Sequence, residues 1–190
     1  MANPNNPFGF RPISRLGGIP FSCTEYGKPA SDANTLFAFD IVKKVTGAVA
    51  IPESPIGYNV PTIQTGYQGT PGTTLWVGSS LNYGALSTLS VHLVTDEIDV
   101  LYMAMCDATT PLTTTAHIGK NANINIAYNT GSTATKQSGM TVNTTGIATT
   151  NTLDLRLTRV SMITPNLEGT NAVVECTINK HLFGQQTAGV

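Results

Sequence analysis

Leu153-Asp154-Leu155-Arg156-Leu157 runs directly into Thr158-Arg159-Val160-Ser161-Met162. Apolar and polar residues alternate strictly up to Leu157, and then the apolar parity moves to Val160 and Met162. A period of two puts one side of an extended chain on a core and the other toward water. A parity change inside one run predicts a strand with a β-bulge near Thr158-Arg159. The next run repeats the pattern: Ala172, Val174, Cys176, Ile178 and Leu182 share one parity, with Glu175, Thr177, Asn179 and His181 on the other.

Other segments follow the same rule. Leu89, Val91 and Leu93 alternate with Ser90 and His92, which places the apolar set on the core. Ala122, Ile124, Ile126 and Tyr128 alternate with Asn123, Asn125 and Ala127. Ile98 to Cys106 is apolar at both parities, as in a central strand covered on both faces. A short helix capped by Thr95, with Asp96 and Glu97 in its first turn, competes there. The β-branched content and the neighbouring strands favour the strand. Turn signals separate the runs at Thr46-Gly47, Pro55-Ile56-Gly57, Pro71-Gly72, Tyr83-Gly84, Thr130-Gly131, Ser138-Gly139 and Glu168-Gly169. Residues 129–151 are almost all small and polar, which predicts a long surface connection or a hairpin in a second sheet. The fold class is therefore all-β, a barrel or jelly-roll-like sandwich. Residues 19–190 form a single β-rich domain, preceded by an extended N-terminal arm over residues 1–18.

Charge and composition narrow the function. In 190 residues there are 10 Lys+Arg and 11 Asp+Glu, a formal net charge of -1. A near-neutral balance excludes nucleic-acid binding through a broad basic face. Charged residues are 11% of the chain, so Thr, Asn, Ser and Gly must supply the polar surface. A chain so poor in charge is weakly protected from association, which suits a member of an assembly. No run approaches the roughly 20 apolar residues that span a bilayer. The opening residues lack a cationic stretch followed by an apolar one, so a secretory signal is not expected. Cys23, Cys106 and Cys176 are widely spaced and form no metal or redox pattern. They read as reduced thiols of a protein made in a cytoplasm.

No catalytic constellation stands out. Phosphate-loop, dinucleotide, zinc-protease and nucleophile-elbow motifs are all missing. His92, His117 and His181 read as surface or satisfied side chains. Asp96, Glu97 and Asp99 form the one acidic cluster, without the spacing or bracing glycine of a calcium loop, and read as a solvated turn before a strand. No cofactor, metal or catalytic residue is assigned. Trp76 is the single tryptophan and a candidate sugar-stacking platform, although its Leu-Trp-Val setting favours the core.

The N-terminal arm carries the candidate binding residues. Pro4, Pro7 and Pro12 exclude a helix and disfavour an internal strand. Phe8, Phe10, Ile13 and Leu16 are more apolar than a solvated tail requires, and Arg11 and Arg15 lie between them. Three readings stand open: the arm folds back over its own domain, it lies on a neighbouring subunit, or it is disordered. Phe8, Phe10, Arg11, Pro12, Ile13, Arg15 and Leu16 are the residues assigned to partner contact.

The opening Asn6-Pro7-Phe8-Gly9-Phe10-Arg11-Pro12 resembles the start of a family of tailed-bacteriophage capsid decoration, or cement, proteins. The likeness continues at Leu36 to Val42, at His117 to Asn123, at Ser138-Gly139-Met140 and from Leu153 to Leu182, while residues 48–88 are less similar. The turn Pro165-Asn166-Leu167-Glu168 departs from the Asp-Asn-Glu expected of the family. The resemblance implies a non-enzymatic virion protein on the outer surface of a phage capsid. It implies a homotrimer whose partner is the major capsid protein lattice, with no nucleic-acid or membrane partner. The rival expectation is a glycan- or host-surface-binding head appendage or fibre module.

Overall fold

A computed structural model describes residues 3–50, 59–127, 131–184 and 188–189. The period-two runs become strands of two sheets. The first sheet has six strands: β1 (Arg11–Arg15), β7 (Val100–Met105), β11 (Val173–Ile178), β10 (Leu155–Val160), β8 (Asn121–Asn125) and β9 (Thr141–Ala148), in that spatial order. The second closes on itself as a barrel of β2 (Thr24–Lys28), β4 (Asn59–Thr65), β3 (Ile41–Ala50), β5 (Gly78–Ser80) and β6 (Ser90–Thr95). Of its neighbouring pairs, β2 and β4 alone run parallel. The all-β barrel and sheet architecture is as the alternation predicts. One short helix, α1 (Thr114–His117), and a 3-10 turn at Gly66–Gln68 complete the described elements.

Each sheet has its own core. Val100, Tyr102, Ala104, Ile124, Leu155, Leu157, Val174 and Cys176 fill the larger one, joined by Trp76, Ile41 and Phe10. Tyr26, Leu36, Val42, Ile63, Val77 and Val94 fill the barrel. Full burial of such a side chain contributes roughly 1.5–3 kcal/mol. Trp76 stitches the two bodies together. Its backbone N–H donates to Lys180 O at 2.8 Å, its carbonyl accepts from Leu182 N–H at 2.7 Å, and its indole N–H donates to Asp154 Oδ1 at 2.9 Å.

Several sequence expectations resolve here. The register of β10 against β11 shifts between Leu157 and Arg159, the bulge that the parity change predicted. β7 lies between β1 and β11 with almost every residue buried, a doubly covered strand rather than a helix. Others are corrected. Met162 is 85% exposed because the strand has ended at Val160. Thr46-Gly47 is no chain reversal: it lies inside β3, at a register shift between Lys44 and Ala48 that bends the strand around the barrel. Residues 129–151 are not all surface, since β9 covers the edge of β8 and buries Met140 and Val142. Pro55-Ile56-Gly57, Tyr128 and Thr130 lie outside the described residues.

β6 inverts its expected face. Ser90, His92 and Val94 turn inward, and Leu89 and Leu93 turn outward, Leu93 at 45% exposure. His92 is fully buried and fully satisfied: Nε2 bonds Ser90 Oγ at 2.8 Å, and Nδ1 bonds Ser80 Oγ at 3.0 Å. Gly84 lies against the ring so closely that a Cβ there would stand 2.6 Å from Nε2. Burial lowers the His92 pKa to about 4, so the imidazole is neutral.

Candidate interaction surface

The N-terminal segment is tied to its own chain over most of its length. Asn3 donates to Leu167 O at 2.7 Å and to Thr170 O at 3.1 Å. Gly9 takes a positive φ of 74° and lies in a notch where a Cβ would meet Phe39 O and Ser138 Cβ, each at 2.5 Å. Phe10 donates its N–H to Phe39 O at 2.9 Å, accepts Ser79 Oγ on its carbonyl, and buries its ring completely. Arg11–Arg15 then pairs antiparallel with β7 as an edge strand. Pro12 is tolerated there because an edge strand has one side free of ladder bonds.

The seven arm residues assigned to partner contact therefore divide. Phe10 is core, and its assignment to a partner is corrected: a ring with no exposed surface cannot reach a neighbour while β1 is in place. Phe8 is half-buried under the Arg11 guanidinium, which lies 5.4 Å from its ring centre and 5.0 Å from that of Phe39. Pro12 pairs with Tyr102. Arg15 clamps the turn before β7, with Nε 2.9 Å from Asp99 Oδ1 and Nη1 3.2 Å from Glu97 Oε1. Ile13 and Leu16 remain outward, 44% and 50% exposed.

Leu16 and Ile13 belong to a larger apolar rim. Leu16 N–H donates to Asp99 O, and Arg15 N–H donates to Ile19 O. Ile98, between Glu97 and Asp99 in sequence, reaches Gly184, which follows Phe183. Ile19, Ile98 and Phe183 are all more than half exposed. The acidic cluster borders this rim. Asp96 accepts the hydroxyls of Thr24 and Tyr26, each at 2.9 Å, and Glu97 accepts Ser22 N–H. Desolvation and then the hydrogen bond to Asp96 push the Tyr26 pKa up. Among the described residues no group of three or more His, Cys, Asp or Glu is arranged to hold a metal ion. The outward side of β6 adds a second apolar stripe, Leu89 and Leu93, with Leu86 nearby in sequence at 58% exposure.

The remaining candidates are structural. Trp76 is completely buried, so its ring offers no sugar platform. His117 Nδ1 accepts Thr113 N–H at 2.9 Å, and His181 is buried against Phe183. Cys106 and Cys176 are buried thiols whose pKa values rise through desolvation. A cavity of about 510 Å³ opens between Phe37, Tyr67, Ile126 and the polar side chains of Asn34, Thr65 and Thr133. Sequence reasoning missed the β6 stripe, Ile98 and Phe183. Ile98 had a visible signal, an apolar residue inside an acidic turn; the stripe had none, because an alternating run does not say which side faces in. Family models, curated proteins and solved structures were compared with this chain, and none matches.

Proposed function

We propose that this chain is a non-enzymatic structural protein of a tailed-phage virion that decorates and stabilises the capsid. It binds as a homotrimer to the outer face of the major capsid protein lattice. The observation that carries the reading is the inverted β6, which turns a histidine inward and leucines outward. A lone chain gains nothing from that choice of face, whereas a chain that docks on others buries the leucines at the contact. The apolar rim of Ile13, Leu16, Ile19, Ile98 and Phe183 supports the same reading. So do the low charge and the family-like segments from Pro7 to Pro12 and from Leu153 to Leu182.

The physical effect follows from linkage. A protein that binds only the assembled lattice stabilises it by roughly 2.7 kcal/mol per site at a free concentration 100 times its Kd. Trimeric attachment makes the second and third contacts intramolecular and raises avidity.

The test uses heads of the phage that carries this chain, prepared without it. Added purified chain is expected to co-sediment with the heads and to appear as threefold density on their outer face. Leu93→Glu and Ile98→Glu are expected to weaken attachment at least tenfold. Wild-type chain that stays in the supernatant overturns the reading. Saccharide binding without attachment to heads replaces it with a host-surface module.

A further inference from the structure

Arg11, Arg15, Arg156 and Arg159 are the arginines of this chain, and the fold treats the first differently. Arg15 Nε lies 2.9 Å from Asp99 Oδ1, and Arg159 Nε lies 2.6 Å from Glu175 Oε2. Arg156 Nε donates to Asn121 Oδ1 at 2.6 Å. Arg11 has no ion pair or hydrogen-bonded side-chain acceptor among the described residues. Its guanidinium instead rests against two rings, 5.4 Å from the centre of Phe8 and 5.0 Å from that of Phe39. The residue stays exposed on β1, at the border of the six-stranded sheet.

Ring faces take up part of the cation's field without using its N–H donors. They also hold the side chain in place, so a partner that binds it removes less rotamer freedom. The donor fork matches a carboxylate through two parallel N–H···O bonds. A nucleic-acid backbone fits poorly, because it calls for a row of free cations. Here Arg15 and Arg159 are paired, and Lys136 Nζ rests 4.2 Å from the Tyr83 ring centre. Phe8 also lines a cleft of about 190 Å³ with Pro4, Met105, Ile163 and Pro165, room for one aliphatic side chain. An apolar pocket next to a charged anchor is the make-up of a protein contact. A second copy of this chain has few carboxylates to offer. Asp32, Asp40, Asp107 and Asp154 are buried. The acidic cluster and Glu175 already hold Arg15, Arg159 and the hydroxyls of β2.

We propose that Arg11, braced by Phe8 and Phe39, is the electrostatic anchor of docking and receives an Asp or Glu side chain of the capsid protein. The inference rests on the reading of this chain as a capsid-binding protein and names the chemistry of its partner. Docking shields the pair from water, so loss of one member leaves the other charge covered and unpaired.

Heads prepared without this chain test the anchor. Arg11→Gln is expected to attach at least tenfold more weakly than wild type. Its attachment is also expected to weaken less steeply with ionic strength. Arg11→Lys is expected to recover only part of the loss, because an ammonium lacks the fork. Arg11→Lys also permits a direct reading at saturating concentration on heads. A water-soluble carbodiimide activates a carboxyl, and the amine in contact with it displaces the urea and forms an amide. Peptide mapping is expected to find position 11 joined to an Asp or Glu of the capsid protein. Wild type and Arg11→Gln that attach equally, with the same ionic-strength dependence, overturn the anchor and leave the capsid reading intact. So does the absence of a cross-link at position 11, or a cross-link to a second copy of this chain. Wild-type chain that does not attach to heads removes both.

Discussion

The indole N–H of Trp76 and the carboxylate of Asp154 meet at 2.9 Å inside the protein, each with no exposed surface. Asp154 also accepts Gly72 N–H at 2.9 Å and Ile124 N–H at 3.1 Å. One polar side chain in the strand-leading run at 153–157 thus ties β8 and the loop before β5 to Trp76. Asp154→Ala leaves two buried donors and one part-buried donor without an acceptor and is expected to cost about 3 kcal/mol or more. Chemical denaturation monitored by Trp76 fluorescence checks this, and a loss below about 1 kcal/mol contradicts it.

Phe10→Ala is expected to destabilise the whole chain by about 3–5 kcal/mol, because it empties a site in the main core. Phe8→Ala removes a half-buried ring and is expected to cost under half as much. Equal effects in thermal unfolding contradict this assignment of the two rings.

Gly9→Ala tests the notch by sterics alone. The added methyl would stand 2.5 Å from the Phe39 carbonyl and from Ser138 Cβ, at a φ of 74°. Backbone cannot yield cheaply there, and the positive φ adds about 1 kcal/mol of strain. The variant is expected to lose at least tenfold in Phe10 amide protection. Wild-type protection in the variant contradicts the close approach.

How much of this was legible in the residues differs from element to element. The bulge at Thr158-Arg159 was readable because Leu153 to Met162 changes parity within one run. The inside of β6 was not, because His92 satisfies both ring nitrogens with Ser80, Ser90 and Asn82, which lie on other turns and strands or on its own face. A histidine with its partners supplied sits inside as comfortably as a leucine. β9 hid among small polar residues, since Thr144 is buried through hydrogen bonding rather than apolar bulk: its Oγ1 donates to Asp107 Oδ1 at 2.6 Å. Asp40, an acid within Leu36-Phe37-Ala38-Phe39-Asp40-Ile41-Val42, was a visible anomaly whose meaning needed the fold. Of the seven arm residues, Arg11, Ile13 and Leu16 kept the outward placement that a binding residue requires.

Leu93→Asn and Leu89→Asn are expected to change unfolding free energy by less than about 0.5 kcal/mol, since both side chains face out. The same changes are expected to reduce self-association, measured by light scattering across a concentration series. Unchanged association removes β6 from the contact.

Stability against pH separates two buried groups. Asp40 has its pKa raised to about 7, so the stability it contributes is present at low pH and lost as pH rises from about 4 to 7. His92 has its pKa lowered to about 4, so its contribution is present above about pH 6.5 and lost as pH falls. Between pH 4.5 and 6 the two slopes oppose each other. Asp40→Asn removes one of them, and unfolding free energy in the variant is expected to gain a slope of about +1.4 kcal/mol per pH unit relative to wild type. Parallel wild-type and variant curves contradict the assignment.

Pro12 sits on the outermost strand of the six-stranded sheet, beside a register break between Pro12 and Ser14. A proline there withholds the amide that an incoming strand would need, and the break spoils the spacing of the others. Lateral templating of one molecule onto the next, the route to runaway fibrils, is blocked at that border. The β1 border thus cannot pass the sheet on from one molecule to the next.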